Sequence, residues 1–461
     1  MTDRAPKMPP ATPPVLRKDM ARTRWTSTRA AGSNGGAFLR RWWGAVVLAA
    51  LIVSPVAAQE FTTLKGHGGP IMGIAVSPQG QVATASFDNS VGLWQGRTPT
   101  WLEGHAAAVT AIAFGPGGIL YTGGDDFALR QWGASARELG RHDGKITSIT
   151  VSDDGARIAT GSWDGSIRLW SSAGDFRALP APGAGVNAVA FEKGGGTLFA
   201  ATSQGVVWRY DLEADTQLPL VKHGFGVNRL VVGDEWLAYG AVDGGTRVID
   251  LDGREIADFT LDRRPILAMA HHPETGQIAV GDGHGYIMML DAHEWRITHD
   301  FRATRNGPVW ALAFSNDGTV LHAGGLDDAV YSWPVAFLDQ FDPAIDGQRS
   351  FLRDAATMPN GERQFMRKCS ICHALQPGPS RKAGPSLHGV FGRRAGTLAG
   401  YRYSDTLDGS SIIWTDETID ALFDTGPDHY IPGSKMPMQV IAKAQDRADL
   451  IAFLKQATRQ E

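Results

Sequence analysis

Apolar and polar residues alternate in short segments between about residues 61 and 335. Ile112 and Phe114 form one such pair of apolar positions, and Val189 and Phe191 form another. Turn-forming runs separate the segments, as in the Ser-Asp-Asp-Gly sequence at residues 152–155. This pattern predicts short antiparallel β-strands joined by tight turns.

The strand pattern repeats at a fixed period. Trp94, Trp132 and Trp170 are spaced 38 residues apart, and each ends an apolar segment. Later copies place other large residues at the same point: Tyr210, Ile249, Leu290 and Trp333. Self-similarity of this kind indicates a solenoid or a propeller, and the count predicts seven repeats.

Aspartates and histidines recur inside the repeat. An aspartate lies six residues before the last strand position in four copies: Asp88, Asp126, Asp164 and Asp327. A histidine opens the first three copies: His67, His105 and His142. These residues resemble the WD-repeat family, in which a histidine, a Ser/Thr hydroxyl, the turn aspartate and the strand tryptophan form a buried network. The resemblance implies that His142, Ser162, Asp164 and Trp170 form the fullest set.

The ends of such a ring need pairing, because a free strand edge invites association with other chains. We expect residues 61–64, which precede the first repeat, to supply the outer strand of the last blade.

Residues 1–58 have the character of a targeting segment. A basic region at 1–41 is followed by an apolar run at 42–53 and by small residues at 56–58. This order is typical of a secretory signal peptide and predicts a periplasmic protein. Residues 42–59 carry no charge, so a retained anchor on the periplasmic side of the inner membrane is the alternative.

Charge is unevenly distributed along the chain. The whole chain carries −4, residues 1–58 carry +7 and residues 341–461 carry +1, which leaves −12 on the part between them. A chain of this sign lacks the basic patch that nucleic-acid binding requires. The acidic middle part instead favours a basic protein partner.

The two cysteines of the chain lie in one motif. Cys369 and Cys372 are followed directly by His373. This spacing predicts covalent attachment of one haem c, with a thioether from each thiol and iron ligation by the histidine. A chance match, a disulfide and a thioredoxin-like pair are the alternatives, and none of them requires the histidine.

Residues from about Gly361 to Thr458 resemble the mitochondrial-type (class I) cytochromes c. The resemblance places Gly361 and Phe365 on a first helix that packs against Leu450 and Phe453 of the last helix. It also implies that the carbonyl of Pro385 accepts a hydrogen bond from His373, which orients the imidazole.

The same resemblance implies further haem contacts. Arg393, Tyr403 and Trp414 are expected near the haem propionates. Met436 is expected to be the second axial ligand, with Met438 as the alternative. The chain departs from the family at Phe423, where the mitochondrial proteins usually carry a tyrosine.

Together these patterns predict two domains after the signal peptide. The first is an all-β seven-bladed WD-like propeller at 59–335, followed by a linker at 336–358 and an all-α cytochrome c domain at 359–461. We expect a periplasmic electron carrier without catalytic residues whose propeller docks redox partners. The alternatives are a haem-linked oxidoreductase with an active site on the propeller, and a haem peroxidase or sensor.

Overall fold

The structure is a computed structural model that describes residues 61–133, 135–261, 265–304, 307–340, 357–378 and 380–459. The predicted signal peptide at 1–58 lies outside these residues. The described residues of the propeller and of the C-terminal domain belong to a single compact unit. No helix in the described part of the chain is long and apolar enough to cross a membrane.

The described residues form seven four-stranded antiparallel sheets, which confirms the predicted propeller. Strand β1 (Thr62–Lys65) belongs to the last sheet. The first four sheets each consist of four consecutive strands: β2 (Ile71–Val76), β3 (Val82–Ser86), β4 (Ser90–Gln95) and β5 (Thr98–Glu103); β6 (Val109–Phe114), β7 (Leu120–Gly124), β8 (Ala128–Trp132) and β9 (Arg137–Arg141); β10 (Ile146–Val151), β11 (Ile158–Ser162), β12 (Ile167–Trp170) and β13 (Phe176–Ala178); and β14 (Val186–Phe191), β15 (Thr197–Thr202), β16 (Val206–Asp211) and β17 (Thr216–Lys222).

The remaining three sheets have the same order. Their strands are β18 (Val227–Val232), β19 (Trp236–Ala241), β20 (Thr246–Asp250) and β21 (Glu255–Asp258); β22 (Ile266–His272), β23 (Gln277–Asp282), β24 (Tyr286–Asp291) and β25 (Arg296–Arg302); and β26 (Val309–Phe314), β27 (Val320–Gly325) and β28 (Ala329–Pro334), which β1 completes.

The ring closes as the sequence predicts. Strand β1 pairs with β28 in antiparallel register, with Thr62 opposite Ser332 and Lys65 opposite Ala329. Strand β1 therefore covers the edge of the last blade.

The repeat positions are structurally equivalent in all seven blades. Each large residue at the end of the third strand lies opposite an apolar residue of the second strand, as Trp94 does with Val82 and Trp333 with Leu321. The corresponding pairs in the other blades are Trp132 with Leu120, Trp170 with Ile158, Tyr210 with Leu198, Ile249 with Leu237 and Leu290 with Ile278.

A hydrogen-bond network links the strands of the first blade. Trp94 Nε1 donates to Thr84 Oγ1 at 2.9 Å, and Thr84 Oγ1 lies 2.7 Å from His67 Nε2. The other imidazole nitrogen lies 3.0 Å from Asp88 Oδ2. The second blade repeats this chain through Trp132, Thr122, His105 and Asp126.

The expectation for the third blade is wrong in one member. Thr160, not Ser162, receives the indole hydrogen of Trp170 and lies 2.6 Å from His142 Nε2. The Ser162 hydroxyl lies nearer the turn and accepts from the backbone N–H of Asp164. His142 Nδ1 bonds Ser166 at 2.7 Å and is 3.5 Å from Asp164, so the complete sets belong to blades one and two.

The last blade lacks part of the network. Ala323 lies two residues beyond Leu321 in β27, the register position that Thr84 occupies in the first blade. Among the described residues, the buried Nε1 of Trp333 has no hydrogen-bond partner. A buried donor without a partner costs stability.

The start of the predicted linker packs against the last blade. Residues Val335–Gln340 form a 3₁₀ segment, and Leu338 is buried in the same apolar cluster as Trp333. The rest of the linker, from 341 to 356, lies outside the described residues.

The C-terminal domain is helical, as predicted. Its helices are α1 (Asn360–Lys368), α2 (Asp416–Thr425), α3 (Pro427–Tyr430) and α4 (Ala444–Ala457). The rings of Phe365 and Phe453 lie 5.6 Å apart where α1 crosses α4. A β-carbon at Gly361 would overlap the carbonyl oxygen of Asp449, so this crossing requires glycine.

Candidate haem site

The attachment motif forms a tight turn directly after α1. The backbone N–H groups of Cys372 and His373 donate to the carbonyl of Cys369 at 3.0 and 2.9 Å. This turn brings both cysteines and the histidine to the wall of one cavity. Burial raises the pKa of Cys369 to about 12, whereas a reactive thioredoxin-like cysteine needs a lowered pKa.

The imidazole of His373 is held in one orientation. Its Nδ1 lies 2.8 Å from the carbonyl oxygen of Pro385, to which it donates. Burial lowers the pKa of His373, which keeps the ring neutral. A β-carbon at Gly384 would lie 2.5 Å from Cε1 of this ring, so the neighbouring glycine permits the close approach. The arrangement leaves Nε2 available as a ligand.

The cavity next to His373 has a volume of about 360 Å³. Most of its walls are apolar, and buried residues such as Leu422 and Phe423 belong to them. All eight residues that the sequence suggests for the haem line this cavity: Cys369, Cys372, His373, Pro385, Arg393, Tyr403, Trp414 and Met436. Two thiols, an imidazole and a thioether around an apolar cavity are a donor set that fits haem c.

The two candidate methionines differ in position. Met436 is half-buried and lines the cavity, and its backbone N–H donates to Ser434 Oγ at 3.1 Å. Met438 is 54% exposed, does not line the cavity, and lies against Gly426. The geometry therefore favours Met436 as the residue that can offer sulfur to a haem.

Arg393 is fixed by backbone carbonyls. Its guanidinium donates to the carbonyls of Ser386 and His388 at 2.8 and 2.9 Å, and burial lowers its pKa. The backbone N–H of Trp414 donates to the backbone carbonyl of Arg393 at 3.0 Å, so Arg393 and Trp414 are adjacent in the wall.

Tyr401 also lines the cavity. Its hydroxyl donates to the carbonyl of Ala383 at 2.6 Å, and its ring packs edge-on against Tyr403 with the centroids 4.8 Å apart. It therefore joins the wall beside Tyr403 to the segment that precedes Pro385.

Propeller residues also line the cavity, which sequence analysis did not anticipate. They come from the turn between β3 and β4, the loop before β6 and the turn between β7 and β8: Phe87, Asn89, Ala106, Ala107, Ala108 and Asp125. No motif marks them, because their role depends on how the two domains pack.

Comparison with known proteins identifies the C-terminal domain. The cytochrome c family matches residues 359–458. The chain is 46% identical over 101 residues to "Cytochrome c" of Ginkgo biloba. The aligned segment covers 22% of this chain and 88% of that protein. Through this domain the chain belongs to the cytochrome c family. A cytochrome c of Cochliobolus lunatus is 42% identical over 99 residues, 22% of this chain and 91% of the relative.

The propeller is matched as well. The family described as "WD domain, G-beta repeat" matches residues 58–95, 96–133, 133–171 and 295–334. These are the repeats with a tryptophan at the end of the third strand, whereas the unmatched repeats have Tyr210, Ile249 and Leu290 there. The protein is thus a cytochrome c domain with covalently bound haem c, fused to a WD-repeat propeller.

Proposed function

We propose that this protein is a periplasmic electron carrier in which His373 and Met436 ligate the haem iron and the propeller docks a redox partner. The observation that carries the proposal is the hydrogen bond from His373 to Pro385, which aims the free Nε2 of a neutral imidazole. Met436 lines the same cavity and offers the second ligand.

Two axial ligands suit the protein to electron transfer. Bound haem supplies a one-electron couple, and His/Met ligation favours a high reduction potential. The apolar wall, which includes Phe423, excludes water from the site. Together these features favour transfer of electrons over binding of a substrate, which requires an open iron position.

The propeller supports a docking role. WD repeats build rigid surfaces, and this part of the chain is acidic, so a basic partner would be steered toward it. Association with such a partner should weaken as ionic strength rises. The periplasmic location rests on residues 1–58 alone, with their basic region, apolar run and small-residue site.

The test is the optical spectrum of the full-length protein expressed with its own N-terminal segment and purified from the periplasm. We expect one covalent haem c, low-spin in both oxidation states, with the weak long-wavelength absorption of a methionine–iron bond in the oxidised form. A high-spin spectrum, or rapid binding of carbon monoxide by the reduced protein, would contradict the carrier and favour the peroxidase or sensor alternative. Recovery of the haem protein only from the cytoplasm would contradict the location.

A further inference from the structure

A segment of the cytochrome domain that follows the attachment turn contacts the first blade of the propeller. Arg381 Nη1 lies 3.0 Å from Glu103 Oε1, and the guanidinium carbon lies 4.1 Å from the ring centre of Trp101. Glu103 is largely exposed, so the ion pair itself contributes little. The contact with Trp101 adds packing and a cation–π interaction.

Lys382 joins the propeller to the haem attachment turn. Its Nζ donates to the carbonyl of Gly68 at 3.1 Å and to the carbonyl of Ser370, between the two cysteines, at 2.7 Å. Burial lowers the pKa of Lys382, as expected for an amine enclosed between two domains.

The backbones approach most closely at Gly68. A β-carbon there would overlap the backbone carbonyl of Arg381 and lie 2.8 Å from the nitrogen of Lys382. Gly68 does not have a left-handed backbone conformation, so its own φ does not require glycine, and the three atoms nearest to such a β-carbon all belong to the cytochrome domain. The glycine is required by the contact with the cytochrome domain.

The networks of blades one and two hold the propeller loops at this contact. Asp88 Oδ2 accepts the N–H of Gly68 at 2.7 Å, and Asp126 Oδ2 accepts the N–H of Ala106 at 2.9 Å. Ala106, Ala107 and Ala108 line the haem cavity, as do Phe87 and Asp125. The two blades with complete networks are therefore the two that contribute wall residues to the cavity.

We propose that blades one and two form the outer wall of the haem site and cover the haem on that side. This inference goes beyond the proposed function, in which the propeller serves to dock a partner. Removal of the wall exposes the haem to water, which stabilises the more highly charged oxidised form and lowers the reduction potential. It also releases the backbone of residues 381–384 from the contact.

Gly68→Ala in the full-length protein tests the wall, with Gly117→Ala as the matched control because a β-carbon at Gly117 meets no atom within 4 Å. We measure hydrogen exchange of peptides that contain residues 381–384, and the reduction potential. Gly68→Ala should exchange several-fold faster there and have a lower potential, while Gly117→Ala should match the wild type in both.

A second pair of variants provides the test if Gly68→Ala does not fold. Arg381→Glu removes the contact with Trp101 and places two carboxylates together, so it should change both measurements in the same direction. Addition of Glu103→Arg should reverse only part of the change, because it relieves the repulsion without restoring the contact with Trp101. Wild-type behaviour of Gly68→Ala, or of Arg381→Glu if only that variant folds, would overturn the inference. The optical spectrum of the wild type tests the proposed electron carrier separately. A low-spin wild-type haem, together with variants whose hydrogen exchange and reduction potential equal those of the wild type, would contradict only the inference about the wall.

Discussion

Acid should destabilise the propeller through two buried histidines, and the effect can be worked out from the structure. His142 is 3% exposed, and its ring nitrogens bond Thr160 and Ser166. Burial, assisted by the charge of Arg168, lowers its pKa from 6.5 to about 4, against the opposing effect of Asp164. His322 is 8% exposed, bonds Ser332 at 2.8 Å, and has its pKa lowered by burial to about 4.

The sign follows from proton linkage. Each histidine has a lower pKa in the folded state than in the unfolded state, so the unfolded chain takes up the protons first as pH falls. The stability is fully present above about pH 6.5 and is lost between pH 6.5 and 4. A shift of about 2.5 pKa units is worth about 3 kcal/mol for each histidine at about 1.36 kcal/mol per unit. The two sites lie in different blades, so their effects should add.

The assay is urea unfolding followed by circular dichroism of the β-sheet signal at pH 7.5 and pH 4.5. Between these values the free energy of unfolding should fall in the wild type, and in His322→Asn the fall should be smaller by about 2 to 3 kcal/mol. His429→Asn is the control, because His429 is mostly exposed in the other domain. Equal pH dependence in the wild type and in His322→Asn would refute the assignment of the effect to this buried imidazole.

Three further predictions concern single side chains. Cys372→Ala should lose one thioether and much of the haem that survives denaturing electrophoresis; a haem stain equal to that of wild type would contradict covalent attachment through this thiol. Met436→Ala should give a partly high-spin, carbon monoxide-binding haem, whereas Met438→Ala should stay low-spin; optical spectra with the reverse result would assign the ligand to Met438. Ala323→Ser should supply an acceptor for Trp333 Nε1 and raise the free energy of unfolding by about 1 kcal/mol, which thermal melts can measure; a lower melting temperature would show that the site lacks room.

The sequence predicts the propeller well because the repeat encodes it directly. Spacing between Trp94 and Trp132 sets the length of a blade, and the apolar segment before the first histidine indicates how the ring closes. Periodicity does not show which of two nearby hydroxyls faces the histidine. That is why Ser162 is a reasonable expectation from sequence, and why the register of β11 with β12 assigns the position to Thr160.

The haem site likewise contains residues that a sequence motif reveals and residues that only the fold brings together. Residues Cys369 to His373 are recognisable because covalent attachment requires thiols and an imidazole in a fixed order, and Pro385 follows from the family resemblance. The wall supplied by the propeller depends instead on an approach between residues far apart in the chain. The residue after the repeat histidine is Gly68 in the first copy but Ala106 in the second, and only the position of Arg381 against Gly68 shows why a side chain is excluded there. A comparison of the isolated repeats or of the isolated cytochrome domain with its relatives therefore cannot detect this contact, whereas the variants at Gly68 and Arg381 address it directly.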